Sequence, residues 1–368
     1  MTSAPTYTSI CILRLSAIGD VCHAVSAVQA IQKAHPNAKI TWVIGKVEAM
    51  LLADLPGVEL VVFDKKQGKA ALKQLKQTFK GQCFDVLLNM QVALRAGFVA
   101  RCIPAKVKIG FDWARSKELH SLFINKRIKA QSQAHVLEGF KGFAQAIGVD
   151  DYVPVWNMPY TDKDQAKADE LLGDDYLSTK LFVISPAASK AQRNWLAERY
   201  AALADYANAQ GFKVVLTGGP TELEINLANN IIKHSDSPIL NLVGKTKLKE
   251  LLCVLKRADL VLAPDTGPAH MAVTVGTPVI GLYAHSNPAR TGPYLYQDYV
   301  VEVYHQNLVK QTDGKPTPAQ VKGTLAGALK AGQGYLMQTI FNLYQHLGAR
   351  NFLIIGMPNL GTTPLAAD

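Results

Sequence analysis

Two successive series of short apolar runs alternating with amphipathic segments constrain this chain more than any other feature. In the first series, strands are predicted at 10–15, 40–44, 60–63, 86–89 and 107–109, and helices at 21–34, 69–79, 92–101 and 136–147. In the second, strands are predicted at 181–185, 213–217, 239–242, 260–263 and 279–282, and helices at 196–210, 222–233, 248–257 and 269–275. Continuous apolar runs suit strands buried on both faces, and their alternation with helices implies parallel sheets. Between the series, the stretch Asp150–Asp164 carries Pro154 and Pro159 and reads as a linker. The expected fold is therefore α/β, with two Rossmann-like domains facing a central cleft. The boundaries fall at 1–155 and 156–310, with an atypical tail over 311–368 and a candidate crossing helix at Tyr335–His346.

A chain of 368 residues is long enough for two such domains. No apolar stretch approaches the roughly 20 residues of a membrane helix. Residues 1–9 lack the charged and apolar regions of a signal peptide. The cysteines Cys11, Cys22, Cys83, Cys102 and Cys253 are scattered without a Cys-x-x-Cys, so neither a zinc ribbon nor a disulfide framework is indicated, and a reducing cytosol is the expected compartment. The nine histidines show no metal-ligand spacing, and Asp162-Lys163-Asp164 sits at a predicted helix start with no strand before it. Gly244-Lys245-Thr246 has Ile239 where a P-loop needs Gly, and no Gly-x-Gly-x-x-Gly follows a strand. No metal and no cofactor are expected.

Charge is one-sided. The net charge is +10, and between Leu60 and Ala130 about 15 Lys or Arg stand against about 4 Asp or Glu. No aromatic–basic motif of a nucleic-acid module accompanies this excess, so nucleic acid is not an expected partner. An anionic membrane surface or an anionic lipid substrate explains a basic domain of this kind.

Two strand-to-helix turns stand out as candidate sites. Asp265, Thr266, Gly267 and His270 lie where the apolar run Leu260–Ala263 meets a helical segment. Such a turn aims unpaired N–H groups and the positive end of a helix dipole at one point, which suits a phosphate. Its plainer reading is an Asp or Thr cap. Asp20 lies after the run Ile10–Leu15, at the carboxyl edge of the first sheet, where open α/β sheets place ligands. Its plainer reading is an N-cap.

Together these turns resemble glycosyltransferase family 9, the lipopolysaccharide heptosyltransferases. The likeness is carried by Leu13-Arg14-Leu15-Ser16-Ala17-Ile18-Gly19-Asp20-Val21, Ser185–Trp195, Thr217–Glu224, Asp265–His270 and Gly281–Pro288, in order, over residues 10 to 300. The resemblance implies a GT-B fold and transfer of heptose from ADP-L-glycero-D-manno-heptose to Kdo of the lipopolysaccharide inner core, inverting and metal-independent. It makes Asp20 the catalytic base and gives the diphosphate to Asp265, Thr266, Gly267 and His270, helped by Ser189 and Arg193. It assigns the ribose to Glu222 or Glu224 and the adenine to the loop at Thr246. Arg14, Lys46 and Arg95 are the candidates on the acceptor side.

The segment Leu13–Ala24 resembles the subgroup that adds the first heptose. A Kdo–lipid A acceptor implies peripheral contact with the anionic inner membrane on its cytoplasmic face. The alternatives are a family 9 transferase with another inner-core acceptor, or a non-catalytic nucleotide-sugar-binding protein of the same fold. From near Pro316 the tail resembles a segment of GDSL esterases, but the Gly-Asp-Ser nucleophile block is absent. The tail reads as foreign or frame-shifted.

Overall fold

The computed structural model describes residues 6–116, 119–189 and 194–305. Over these the chain forms two compact units. The first ends at Gln165 and takes in Leu248–Cys253, and the second holds Ala166–Lys247 and the chain from Val254.

The first unit contains β1 (Ser9–Leu13), α1 (Ile18–Ala34), β2 (Lys39–Gly45), α2 (Lys46–Leu52), β3 (Val58–Phe63), α3 (Lys69–Thr78), β4 (Phe84–Asn89), α4 (Leu94–Arg101), β5 (Ala105–Gly110), β6 (Lys126–Arg127) and α5 (Val136–Ala146). Its sheet runs β3-β2-β1-β4-β5-β6, with every neighbouring pair parallel. The central strand β1 buries four of its five residues, as a strand covered by helices on both faces must. Cys11 and Leu13 face a core with Val43, Leu87 and Val99.

The chain then forms α6 (Asp162–Leu172), α7 (Asp174–Leu177), β7 (Lys180–Ile184), α8 (Ala197–Ala209), β8 (Phe212–Leu216), α9 (Glu222–His234), β9 (Ile239–Asn241), α10 (Leu248–Arg257), β10 (Leu260–Pro264), α11 (Gly267–Thr274), β11 (Val279–Tyr283), α12 (Pro288–Thr291) and β12 (Val300–Glu302). The second sheet runs β12-β11-β10-β7-β8-β9, also parallel throughout. Numbered from its own first strand this is the same order as the first sheet. Both are Rossmann sheets, and each has one switch point where the strand order reverses: β1/β4 in the first and β7/β10 in the second.

The α/β class and two Rossmann-like sheets are as the sequence implies. Three details differ. Helix α1 begins at Ile18 rather than Val21, with Ala17 in extended backbone as its N-cap. Asp20 therefore does not cap the helix; it lies in the first turn, where its charge suits the dipole. Helix α2 follows β2 without a break, in a stretch to which the sequence reading assigned no element. Strands β6 and β12 are two and three residues long, too short to show a period. The proposed crossing helix at Tyr335–His346 and the tail over 311–368 lie outside the described residues.

Candidate active site

Both candidate carboxylates sit beside a switch point. In the first unit Leu13 of β1 pairs with Asn89 of β4, and the chain leaves both strands toward the same edge. There the Arg14 guanidinium donates from Nη2 to Oδ2 of Asp20 and from Nη1 to the Met90 carbonyl at 2.6 Å. It also lies over the Phe140 ring, 5.5 Å from its centroid. The Trp42 indole N–H donates to the Arg14 carbonyl at 3.1 Å, fixing the backbone from which this side chain springs. Arg14 is 11 % exposed and Asp20 31 %, so the carboxylate is reachable while its partner is enclosed.

A pocket of about 580 Å³ opens at the same edge, over the ends of β1, β2 and β4. Lys46 and Arg95 line it, joined by Lys65, Lys66, Glu48 and Gln91. Lys46 Nζ lies 3.9 Å from Asp64 Oδ2. Burial pushes the Glu48 carboxyl above its ordinary range, against its own backbone bond and the charges of Lys65 and Arg14. Gln91 accepts the Leu15 N–H at 2.8 Å, holding the β1 exit to the β4 exit. Gly45 closes the floor: a Cβ there would stand 2.2 Å from the Leu15 carbonyl oxygen, so only glycine permits the approach. With four cations against two carboxyls, Glu48 and Asp64, this pocket keeps a positive balance that suits an anionic group carrying hydroxyls.

In the second unit the turn after β10 is the centre. Helix α11 starts at Gly267 with Pro268 in its first turn, and Thr266 occupies the N-cap position without capping: its hydroxyl donates to the Pro264 carbonyl at 3.1 Å. The first-turn N–H groups lack helical partners by geometry and point out of the sheet edge. His270 Nε2 lies 3.5 Å from Asp265 Oδ1, and the Thr291 hydroxyl donates to Asp265 Oδ2 at 3.2 Å. Burial raises the Asp265 pKa, but bonds from His270, Ser286 and Thr291 outweigh it and hold this carboxyl below the usual range. Ser286 lies in the turn after β11 and Thr291 ends α12, so through Ser286 the Gly281–Pro288 motif meets the Asp265–His270 turn.

The other donor-side candidates lie along the same sheet edge. Ser185 and Thr217, the residues that follow β7 and β8, share a hydrogen bond of 2.5 Å between buried hydroxyls. Ser189 is exposed in the loop that follows, where the Ala188 N–H donates to Asn194 Oδ1 at 2.7 Å. Arg193 lies outside the described residues. Glu224 is engaged in a capping box: it accepts from the Gly219 N–H at 2.8 Å and the Thr221 hydroxyl at 2.6 Å, while Thr221 accepts from the Glu224 N–H. Glu222, two residues earlier in the same first turn of α9, is exposed. The Gly244 N–H donates to the Gly218 carbonyl at 2.9 Å, which brings the Thr246 loop beside the Gly218–Glu224 loop. Among the described residues no group of three or more His, Cys, Asp or Glu could hold a metal ion.

Glu48, Lys65, Lys66, Gln91 and Thr291 were not singled out from the sequence. The same rule that flagged Asp20 would have found Glu48 and Gln91, since each follows the carboxyl end of a parallel strand. It applies equally to Lys65 and Lys66, which follow β3 and belong to the basic stretch of the sequence, whereas Thr291, at the end of α12, carried no such signal.

Comparison with known proteins shows the family and the fold. The family model for glycosyltransferase family 9 (heptosyltransferase) matches residues 72–319. The lipopolysaccharide core heptosyltransferase OpsX of Haemophilus influenzae is 44% identical over 316 residues, which cover 86% of this chain and 89% of that one. Among solved structures, a family 9 glycosyl transferase from Veillonella parvula superposes with a TM-score of 0.73 at 22% identity, covering 91% of this chain and 99% of that one. The Escherichia coli heptosyltransferase WaaC with ADP gives 0.65 at 22% identity, over 90% and 100% of the two chains. Paired Rossmann sheets with ligand-ready switch points define a GT-B glycosyltransferase. The chain belongs to glycosyltransferase family 9, the heptosyltransferases.

Proposed function

We propose that this enzyme transfers heptose from ADP-L-glycero-D-manno-heptose to Kdo of the lipopolysaccharide inner core, with inversion and without a metal ion. The observation that carries the reading is the Asp20–Arg14 pair at the β1/β4 switch point. The relative from H. influenzae, named for lipopolysaccharide core heptosyl transfer, supports the substrate class. The E. coli structure with ADP supports an adenine nucleotide as the carrier.

The first unit handles the acceptor. A Kdo hydroxyl oxygen attacks the anomeric carbon of the heptose as its proton passes to the Asp20 carboxylate. Arg14 fixes Asp20 for that transfer, and Lys46, Arg95, Lys65 and Lys66 hold the acidic acceptor in their pocket. Attack opposite the leaving group inverts the anomeric centre. The second unit handles the donor. The bond from the anomeric carbon to the β-phosphate oxygen breaks, and its electron pair leaves with ADP. The growing charge falls on the N–H groups of Thr266 and Gly267, the α11 dipole and His270, and the family resemblance adds Ser189 and Arg193 to this role. Glu222 or Glu224 takes the ribose, and the Thr246 loop the adenine. Among the described residues no helix is long and apolar enough to cross a membrane. The enzyme works peripherally, on the cytoplasmic face of the inner membrane.

The test is mass spectrometry of a truncated Kdo–lipid A acceptor incubated with the ADP-heptose donor, the enzyme and EDTA. A product heavier by one heptose, lost in Asp20→Asn, is the expected result. Unchanged turnover by Asp20→Asn would remove the base assignment, and loss of turnover on adding EDTA would remove metal independence.

A further inference from the structure

One side of the first unit exposes apolar side chains that its core does not need. The outward stripe of α4 is Leu94, Arg95, Phe98 and Arg101, with Phe98 48% exposed. Against α4 packs a 3₁₀ turn, His120–Phe123, whose Phe123 ring meets the Phe98 ring edge-on at 5.6 Å. That turn carries Leu122, 73% exposed, and is preceded by Leu119, 65% exposed. Arg127 ties the ridge to a third piece: its guanidinium donates to the Ser121 hydroxyl at 2.6 Å and lies 3.7 Å from the centroid of the Trp113 ring. Trp113 is itself 75% exposed. Isolated exposed apolar residues are ordinary, but several converging from three segments mark a contact surface.

Charge identifies the partner. Residues 86–130 contain nine Lys or Arg and two acids. Of the acids, Asp112 is bound to the Arg115 guanidinium at 2.8 Å. Leucine and aromatic side chains interleaved with exposed cations fit the headgroup layer of an anionic bilayer, where each nearby cation contributes about 1 kcal/mol. A second copy of the chain would set like charges against each other. The ridge also reaches the cationic pocket through Leu94, while Val47 and Met50, both exposed, line the same pocket from α2. The pocket mouth is thus collared by apolar groups.

We infer that Leu94, Phe98, Leu119, Leu122 and Trp113 form a bilayer-insertion ridge that seats the acceptor pocket at the level of anionic lipid headgroups. The inference rests on the reading that a membrane presents the acceptor. Seated this way, the enzyme meets an acidic headgroup sugar without lifting its lipid from the bilayer.

The test is sedimentation of the full chain with vesicles of phosphatidylglycerol and phosphatidylcholine in equal parts, and with phosphatidylcholine alone. Binding to the mixed vesicles is expected, weakening as salt rises. The double variant Phe98→Glu, Leu122→Glu should lower the affinity by at least about tenfold, because both positions insert and both gain a repelled charge. Ile225→Glu with Leu295→Glu, the same charge change on exposed sites of the second unit, should leave binding unchanged. Wild-type protein that ignores anionic vesicles, or equal losses in both double variants, overturns the ridge. So does a dimer in solution that only the Phe98 and Leu122 substitutions dissolve. Vesicle binding needs no turnover, so failure of the transferase reading shows separately, as absent product from a lipid-free Kdo acceptor.

Discussion

Arg14 and Asp20 face one another across the turn between β1 and α1, and the guanidinium that holds the carboxylate is itself held by the Met90 carbonyl of the neighbouring strand exit. The two donors diverge from one planar group, so a single side chain ties the base to both strands of the switch point. A lysine ammonium cannot reproduce that fork. Arg14→Lys is expected to lower kcat by about 10- to 100-fold while changing KM for the donor by less than about threefold, since positioning of the base is lost and donor contacts are not. Arg14→Met should fall further. Steady-state kinetics on protein of unchanged circular dichroism checks this, and a rise confined to acceptor KM would make Arg14 a substrate contact instead.

Glu224 invites a separation of two roles. Its carboxylate completes the capping box of α9 with Thr221, and the sequence reading offers it to a ribose. Glutamine serves a capping box nearly as well as glutamate, whereas loss of the Thr221 hydroxyl removes a cap outright. Thr221→Ala should therefore cost about 1 kcal/mol of stability. Glu224→Gln should cost less than about 0.5 kcal/mol, yet raise donor KM by about threefold to tenfold if the ribose leans on its charge. Urea unfolding and donor titration read the two effects independently. An unchanged KM would leave the ribose to Glu222.

Much of this was legible in the residues. Uninterrupted apolar runs such as Ile10–Leu15 announced central parallel strands, and the turns after β1 and β10 announced themselves through Asp20 and the Asp265–His270 cluster. What stayed hidden depends on contacts between distant segments. That Arg14 reaches back to Met90, 76 residues away, follows from β1 pairing with β4, which no local pattern encodes. The pocket wall at Lys65 and Lys66 needed the parallel placement of β3 beside β2. The exposed ridge was hidden for another reason: Leu122 and Phe98 look like core residues until the helix face they occupy is known.

His120 gives the first unit a pH dependence with a definite sign. It is buried, and its Nε2 accepts the Phe111 N–H at 3.2 Å, a bond only the neutral ring can take. Burial, with the Arg127 charge beside it, pushes its pKa down to about 4. The unfolded chain takes up that proton near pH 6.5, so the stabilisation is complete above that value and is lost as pH falls from there toward 4. After allowance for solvent screening at this sheet edge, wild type should lose roughly 2 kcal/mol more than His120→Gln between those limits. Glutamine keeps an acceptor without titrating. Parallel unfolding curves for the two proteins across this range would refute the assignment.

Asn89 ends β4 fully buried, and among the described residues neither its amide nitrogen nor its oxygen has a hydrogen-bond partner. It pairs with Leu13, and two residues before it on the same sheet face is Leu87, so its surroundings are those of an apolar core. An unsatisfied buried amide costs about 1–3 kcal/mol, and leucine has nearly the same shape. Asn89→Leu is therefore expected to stabilise the protein by about 1–2 kcal/mol in urea. Yet the next residue is Met90, whose carbonyl anchors the Arg14 fork, and a polar group kept at that point against stability is what an active edge retains. The same variant should lose about threefold to tenfold in kcat/KM, because repacking around leucine shifts the β4 exit and with it the Met90 carbonyl that anchors Arg14. A gain in stability with full activity would make Asn89 a tolerated flaw in the core, and a loss of stability would show that its amide is bonded after all.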